Sequence, residues 1–201
     1  MQPSFVWLGN HPCLDFINTE LMGSDGRKDL LQTVPNLVHW LTSAKLVDGE
    51  VRAMLLTKWH GSSAASRALQ LARQLRSVLR EMAERISSGR GVPQTALRAI
   101  NASLEADRSH RKLVRRQGKF VERFYREYSK PETLLVPVAE SASHLLCQCD
   151  LRRIRMCENP ACILFFYDQS KNGSRRWCSM DFCGNRHKAA AFYRRHRRAS
   201  R

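Results

Sequence analysis

Apolar positions in the middle of the chain recur at the three- and four-residue spacing of an amphipathic helix. The stripe begins at Ala68 and stops before Ser87-Ser88-Gly89, which reads as a helix end. Because this spacing places apolar side chains on one helical face, it predicts a long helix packed against a core. The stripe consists of Ala68, Leu71, Ala72, Leu75, Val78, Leu79, Met82 and Ile86.

Shorter apolar patterns on both sides of this stripe predict further helices. One helical pattern lies between Leu37 and Leu46, and Asp48 can cap the helix that follows it. Another helix is expected after Pro93, and Pro137 suits the first turn of a later one. Residues 1–150 are therefore predicted to form a helical domain.

The periodicity changes between His110 and Tyr128. Apolar positions there flank Gln117-Gly118, a pair of residues that favours a tight turn. The pattern predicts a β-hairpin inserted among the helices. The fold class expected for the whole chain is mostly α with a small β element.

Four cysteines near the C-terminus form two pairs with equal internal spacing. The pairs are Cys157-x4-Cys162 and Cys178-x4-Cys183, and fifteen residues separate them. Zinc prefers thiolate ligands in tetrahedral geometry, and four cysteines leave no coordination position open for a substrate. The spacing therefore predicts one structural Zn²⁺ per chain, held by these four cysteines.

The residues between and after the cysteine pairs predict a hairpin and a helix. Residues 163–167 are strand-like, Asn172-Gly173 favours a turn, and residues 175–177 are expected to form the return strand. A helix is expected over residues 185–198. Residues 151–201 are thus predicted to be a zinc-binding hairpin-and-helix module with four cysteine ligands.

Positive charge is concentrated in the same part of the chain. The formal net charge is +16, and residues 151–201 contain 13 lysines and arginines against 3 acidic residues. A basic surface on a small zinc module favours binding to a nucleic acid. The residues expected to contact it are Arg175, Arg176, Arg186, Lys188, Arg194, Arg195 and Arg198.

Two motifs resemble known families. Cys183-Gly184-Asn185-Arg186, preceded by Ser174–Cys178 and Phe166–Ser170, resembles the CGNR-type zinc finger. Leu14–Thr19, with later apolar pairs, is similar to the ABATE domain that usually precedes that finger. The resemblance implies a bacterial, stress-linked transcription regulator whose finger binds DNA.

Other functions fit parts of the same pattern. The zinc module could instead be the docking surface of an RNA- or protein-binding accessory factor. Asp15, Asn18 and Thr19 could line a small-molecule pocket for an effector, or could equally hydrogen-bond a tight turn. Asp15 and Asn18 lack an identifiable nucleophile or base partner, so an enzyme is not expected. A homodimer is expected, because one finger contacts few base pairs.

The start of the chain and the other cysteines bear on the compartment. The N-terminal residues lack the pattern of a signal peptide, and no stretch has the length of a membrane span. A cytoplasmic protein without a membrane partner is expected, with its thiols reduced. Cys13, Cys147 and Cys149 lie in or beside apolar segments and are predicted to be buried as small hydrophobic residues.

Overall fold

Helices dominate this computed structural model, which describes residues 3–59, 61–185 and 188. In chain order the helices are α1 (Pro12–Ile17), α2 (Val34–Ser43), α3 (Gly49–Lys58), α4 (Ser63–Ser87), α5 (Gln94–Glu105) and α6 (Val136–Gln148). Short 3₁₀ helices span Pro131–Leu135 and Leu151–Arg153, and a π-helical turn spans Met180–Gly184.

The strands pair as antiparallel hairpins. They are β1 (Glu20–Gly23) with β2 (Gly26–Asp29), β3 (Ser109–Arg116) with β4 (Lys119–Arg126), and β5 (Ile154–Met156) with β6 (Phe165–Tyr167). Each hairpin forms its own two-stranded sheet. The prediction of a mostly α fold with a small β element is therefore confirmed.

Helix α4 is the centre of the hydrophobic core. Its stripe is buried at Ala68, Ala72, Leu75, Leu79 and Met82, as the spacing predicted. Helices α1, α2 and α5 and strand β5 all pack against it. The largest buried side chains around the core include Phe16 and Trp40, whose ring centroids are 5.1 Å apart.

Local capping explains where the shorter helices begin. The Asp48 carboxylate accepts a hydrogen bond from the backbone N–H of Val51 at 2.8 Å, as expected for the cap of α3. Thr33 and Asn36 form a reciprocal capping box at the start of α2. Pro137 lies in the first turn of α6, where the missing N–H costs no helical hydrogen bond.

The elements between residues 12 and 29 were not predicted. Helix α1 has only six residues, too few to establish a helical period. The β1–β2 hairpin is fixed to α4 by Arg76, which is buried and donates two hydrogen bonds to Asp29 at 2.6 and 2.8 Å. Because this contact joins residues far apart in the sequence, no local hydrophobic pattern predicts the hairpin.

The predicted β3–β4 hairpin is present and its turn follows the sequence. Gln117 and Gly118 have φ angles of 47° and 77°. Positive φ at both central residues defines the type I′ turn, whose twist matches that of the flanking strands. Glycine adopts this conformation without steric cost.

The second β prediction was wrong in its pairing. Strand β6 pairs with β5, which lies before the first cysteine pair, and residues 175–177 form no strand. The backbone N–H of Arg175 donates to the Asp168 carboxylate at 2.9 Å instead of to a neighbouring strand. The helix predicted over residues 185–198 lies mostly outside the described residues. Within that range the structure describes Asn185 and Lys188, and both are helical.

Two observations complete the description of the chain. No helix in the described ranges has both the length and the apolar character needed to cross a bilayer. Of the cysteines outside the clustered four, Cys13 is buried and Cys149 is half-buried. The burial predicted for Cys147 was wrong, because this residue lies on the exposed side of α6.

Candidate metal centre and its surroundings

The four cysteine sulfurs converge on one point. Cys157 and Cys162 lie in the loop that joins β5 to β6, and Cys183 lies in the π-helical turn. Together with Cys178, their sulfurs all lie within 4.8 Å of one another. Three of the four side chains are buried and Cys162 is half-buried, so the cluster is largely closed to solvent. We call residues 151–201 the zinc module, of which the structure describes residues 151–185 and 188.

The distances in the cluster fit a tetrahedral zinc ion. With Zn–S bonds of about 2.3 Å, tetrahedral geometry separates neighbouring sulfurs by about 3.8 Å. The Sγ–Sγ distances are 3.8 Å from Cys162 to Cys178 and 3.5 Å from Cys178 to Cys183. The backbone N–H of Cys178 also donates to the Cys157 sulfur at 3.4 Å, a contact that stabilises a thiolate ligand.

The thiols of the cluster must lose their protons to bind a metal ion. The Cys162 and Cys178 thiols donate hydrogen bonds to the Cys157 sulfur. These bonds lower the pKa of Cys157 and raise the pKa of both donors. Four thiolates at this separation repel one another strongly unless a metal ion lies between them. The module therefore provides a site for one structural Zn²⁺, and four protein ligands leave no position for a reacting water.

A buried aspartate shapes the loop that leads to Cys178. Asp168 is fully buried and accepts hydrogen bonds from the N–H and hydroxyl of Ser170 and from the N–H of Arg175. Burial alone would raise the pKa of Asp168, but these hydrogen bonds and the charge of Arg153 hold it below its usual value. Sequence reasoning missed this role, although Asp168-x-Ser170 is a recognisable turn signature.

Arg175 is turned towards the module itself. Its guanidinium lies 4.3 Å from the centroid of the Phe166 ring and donates to the carbonyl of Trp177 at 2.9 Å and to that of Cys178. This side chain is half-buried and braces the backbone that carries Cys178. Of the basic residues predicted to contact nucleic acid, Arg175 thus has a structural role in the zinc module.

The other predicted contact residues divide between exposed and undescribed positions. Arg176 is exposed, pairs with Glu158 at 2.6 Å and lies over the ring of Trp177. Lys188 is also exposed. The remaining residues lie outside the described part of the chain, so contact with nucleic acid stays a prediction. They are Arg186, Arg194, Arg195 and Arg198.

The zinc module is joined to the helical body through the edge of β6 that does not pair with β5. The Asn18 side chain donates to the Phe165 carbonyl at 2.8 Å and accepts from the Phe165 N–H at 2.9 Å. The Tyr167 N–H donates to the Gly9 carbonyl at 2.8 Å. Ile154 and Phe165 also belong to the main hydrophobic core. The module is therefore packed on the body and not tethered to it.

The three residues proposed for a small-molecule pocket bond within the protein. Asp15 accepts from the Gly9 N–H at 2.8 Å, and burial raises its pKa to about 6 although backbone hydrogen bonds oppose the shift. Thr19 donates to the Phe16 carbonyl at 2.7 Å and accepts from Arg76. The Asn18 side chain forms its hydrogen bonds with the backbone of Phe165. These contacts fit the tight-turn alternative, and the pocket stays a prediction.

A second group of potential ligands was not foreseen from sequence. Ligand atoms of His11, His144 and Cys149 lie within 4.8 Å of one another. His11 Nδ1 accepts from the Cys13 N–H, which leaves the proton on Nε2, and that nitrogen lies 3.3 Å from His144 Nδ1. The two rings thus satisfy each other while His11 caps α1. Burial, followed by the charge of His144, lowers the pKa of His11 to about 4.

Comparison with known families agrees with this geometry. The CGNR zinc finger family matches residues 153–196, the region that contains the clustered cysteines. The ABATE family, described as "Putative stress-induced transcription regulator", matches residues 10–148. Both descriptions are of non-enzymatic kinds, a regulator and a zinc finger. No curated protein matches the chain. Because the ABATE match spans most of its length, the chain belongs to the ABATE family and carries a CGNR zinc finger.

Proposed function

We propose that this protein is a transcription regulator that binds DNA through the basic surface of its zinc module. The observation that carries the proposal is that the most basic segment of the chain is also held rigidly where the structure describes it. The C-terminal residues 151–201 hold 13 basic and 3 acidic residues, and the described part of that segment is fixed by a four-cysteine cluster and by the core. A rigid cationic surface binds phosphates with little loss of conformational entropy.

The roles differ among the residues of the module. Zinc holds the cysteines, and Arg175 braces the segment between them. Arg176 and Lys188 have exposed side chains that can meet phosphate oxygens. Arg176 would exchange its exposed contact with Glu158 for a phosphate, an exchange that costs little because surface ion pairs are weak. We propose the same role for Arg186, Arg194, Arg195 and Arg198.

Specific recognition of an operator would need more than one finger. A single small module contacts few base pairs, and phosphate contacts carry no sequence information. We therefore propose that the protein acts as a homodimer with two half-sites. The helical body would supply the dimer contact and the response to an effector.

The test is the salt dependence of duplex binding in two matched variants. Changing Arg194 and Arg195 together to Ala removes two expected phosphate contacts and should lower the slope of log K against log salt by about two units. Changing Arg67 and Arg98 to Ala removes the same charge from exposed positions on α4 and α5. This control should keep the parent slope.

Three results would overturn the proposal. If both variants bind duplex DNA as the parent does, the C-terminal arginines do not contact phosphate. If the parent binds double-stranded RNA of the same length in preference to DNA, or binds neither, the accessory-factor function becomes the better account. Zinc content should be unchanged in both variants, because neither replaces a metal ligand.

A further inference from the structure

The β3–β4 hairpin carries an unexplained excess of charge. Its residues 109–126 contain seven basic residues and one acidic residue. The rest of residues 1–150 contains fourteen of each. The whole positive excess of the helical body is therefore concentrated in this one hairpin.

The base of the hairpin is firmly attached to the body. The Arg126 guanidinium is 6% exposed and bonds to Asp107 at 2.9 Å and to Glu140 of α6 at 2.5 Å. Ser109 donates to the same Asp107 at 2.7 Å. Beyond this clamp most side chains are exposed, with Leu113 and Phe120 each 71% exposed and Val114 and Arg123 half-buried. The hairpin is thus an arm with a fixed direction.

The strand register separates two different faces of the arm. Directly paired residues share a face, because side chains alternate along each strand. The first face, which we call the mixed face, carries Arg111 opposite Phe124, Leu113 opposite Glu122, and Arg115 opposite Phe120. The second face, which we call the cationic face, carries Lys112 opposite Arg123, Val114 opposite Val121, and Arg116 opposite Lys119.

Charges on the mixed face are compensated within the hairpin. Arg111 forms a salt bridge with Glu122 at 2.8 Å. The Arg115 guanidinium lies 5.8 Å from the centroid of the Phe120 ring. Cross-strand pairs of these kinds stabilise a two-stranded sheet.

The cationic face has one cation–π contact, with Lys112 Nζ 5.4 Å from the centroid of the Tyr125 ring, but it carries no acidic residue. Both of its charged pairs place like charges directly opposite each other, an arrangement that destabilises a hairpin. In the portion of the chain that the structure describes, none of these four residues forms an ion pair, and Glu122 lies on the other face. The face therefore holds two destabilising pairs that an external anion would relieve.

We propose that the cationic face of the β3–β4 arm binds the phosphate backbone of duplex DNA, as a second contact beside the zinc module. The choice of DNA as the partner rests on the proposed function, whereas the site on the arm is separate from the zinc module. Lys112 and Arg116 are four residues apart, about 14 Å along an antiparallel strand. This separation is close to the roughly 12 Å width of the B-form major groove, which admits a two-stranded ribbon. The major groove of A-form RNA is too narrow for side chains to read.

The experiment compares the two faces of the same arm. One variant changes Arg116 and Lys119 to Ala on the cationic face, and its control changes Arg111 and Arg115 to Ala on the mixed face. Both lose two charges from one hairpin, so long-range attraction falls equally. Binding to a duplex of about 30 base pairs, roughly three helical turns, is measured over a range of salt concentrations.

The cationic-face variant should bind roughly ten- to thirtyfold more weakly than the control at about 0.15 M salt, with a slope lower by about two units. Its melting temperature should not fall, because the substitution removes a like-charge pair. Lost binding then reports a lost contact, not an unfolded arm.

Equal binding by the two arm variants would overturn this inference. In that case, weaker DNA binding by the variant with Arg194→Ala and Arg195→Ala would still support DNA binding by the zinc module. A greater loss in the mixed-face variant would also refute the inference, as would tighter binding of the parent to double-stranded RNA of equal length. Failure of the parent to bind any duplex would remove both proposals together.

Discussion

Hairpin β5–β6 has strands of three residues, whereas hairpin β3–β4 has strands of eight. Strand β6 of the short hairpin is buried at Phe165 and Phe166, and the loop between its strands carries two of the four clustered cysteines. The long hairpin projects into solvent beyond the Arg126 clamp. Both lie in the more basic parts of the chain, yet they are held in place by different interactions.

The difference separates two ways of presenting a charged surface. A three-residue hairpin has too few ladder hydrogen bonds to be stable alone, so the metal, Asn18 and the core hold its shape. The eight-residue hairpin has a full ladder and a type I′ turn, and it tolerates two like-charge pairs. The folding of hairpin β5–β6 should therefore be sensitive to most substitutions around it, and that of hairpin β3–β4 to very few.

Zinc removal should have the largest effect, and only on the zinc module. Cys178→Ser should reduce zinc from one ion per chain to a small residual fraction and unfold the module, because structural zinc supplies about 10–16 kcal/mol in such domains. Metal analysis and amide signals of both hairpins check this. Cys147→Ser is the matched control, since this exposed thiol lies outside the cluster. Full zinc occupancy in Cys178→Ser would refute the assignment, as would loss of the β3–β4 signals.

A phenylalanine in each hairpin gives the next test. Phe166 is fully buried against the cysteine cluster, so Phe166→Ala should lower the free energy of unfolding by about 3–5 kcal/mol. Phe120 is 71% exposed, and Phe120→Ala should change it by less than about 0.5 kcal/mol. Denaturant unfolding at saturating zinc measures both. Similar losses in the two variants would show that the arm is packed against something in solution.

The hydrogen bonds of Asn18 should matter almost as much. Asn18→Ala leaves the buried N–H and carbonyl of Phe165 without partners, which should lower the free energy of unfolding by about 2–4 kcal/mol. Asn101→Ala is the control, because Asn101 is exposed on α5. A loss no larger than that of the control would mean that the module does not depend on this junction.

A smaller effect is expected at Gly9, on the same junction. A methyl group there would lie 2.7 Å from the backbone nitrogen of Asp15 and 2.8 Å from its carboxylate oxygen. Gly9→Ala should therefore lower the free energy of unfolding by about 1–3 kcal/mol. Gly49→Ala has open space around it and should be tolerated. Equal melting temperatures for the two variants would show that the approach of Gly9 to Asp15 is not tight.

The extent to which the sequence predicted each region follows from the range of its interactions. The α4 stripe, the β3–β4 turn and the cysteine set are local or periodic signals, and each was read correctly. The partner of β6 could not be predicted, because three-residue strands carry no period. Asn18 and Phe165 are 147 residues apart, and no pattern in either segment points to the other. The role of Asp168 likewise depends on its burial, which composition does not reveal.

The affinity of the parent protein for duplex DNA as a function of salt tests the central claim most directly. If the zinc module and the cationic face of the β3–β4 arm both contact phosphates, log K should fall linearly with log salt. With at least two phosphate contacts from each surface, at roughly 0.9 per contact, the magnitude of the slope should be about four or more. A slope near zero, or no binding at about 0.05 M salt, would contradict a DNA-binding function for this chain.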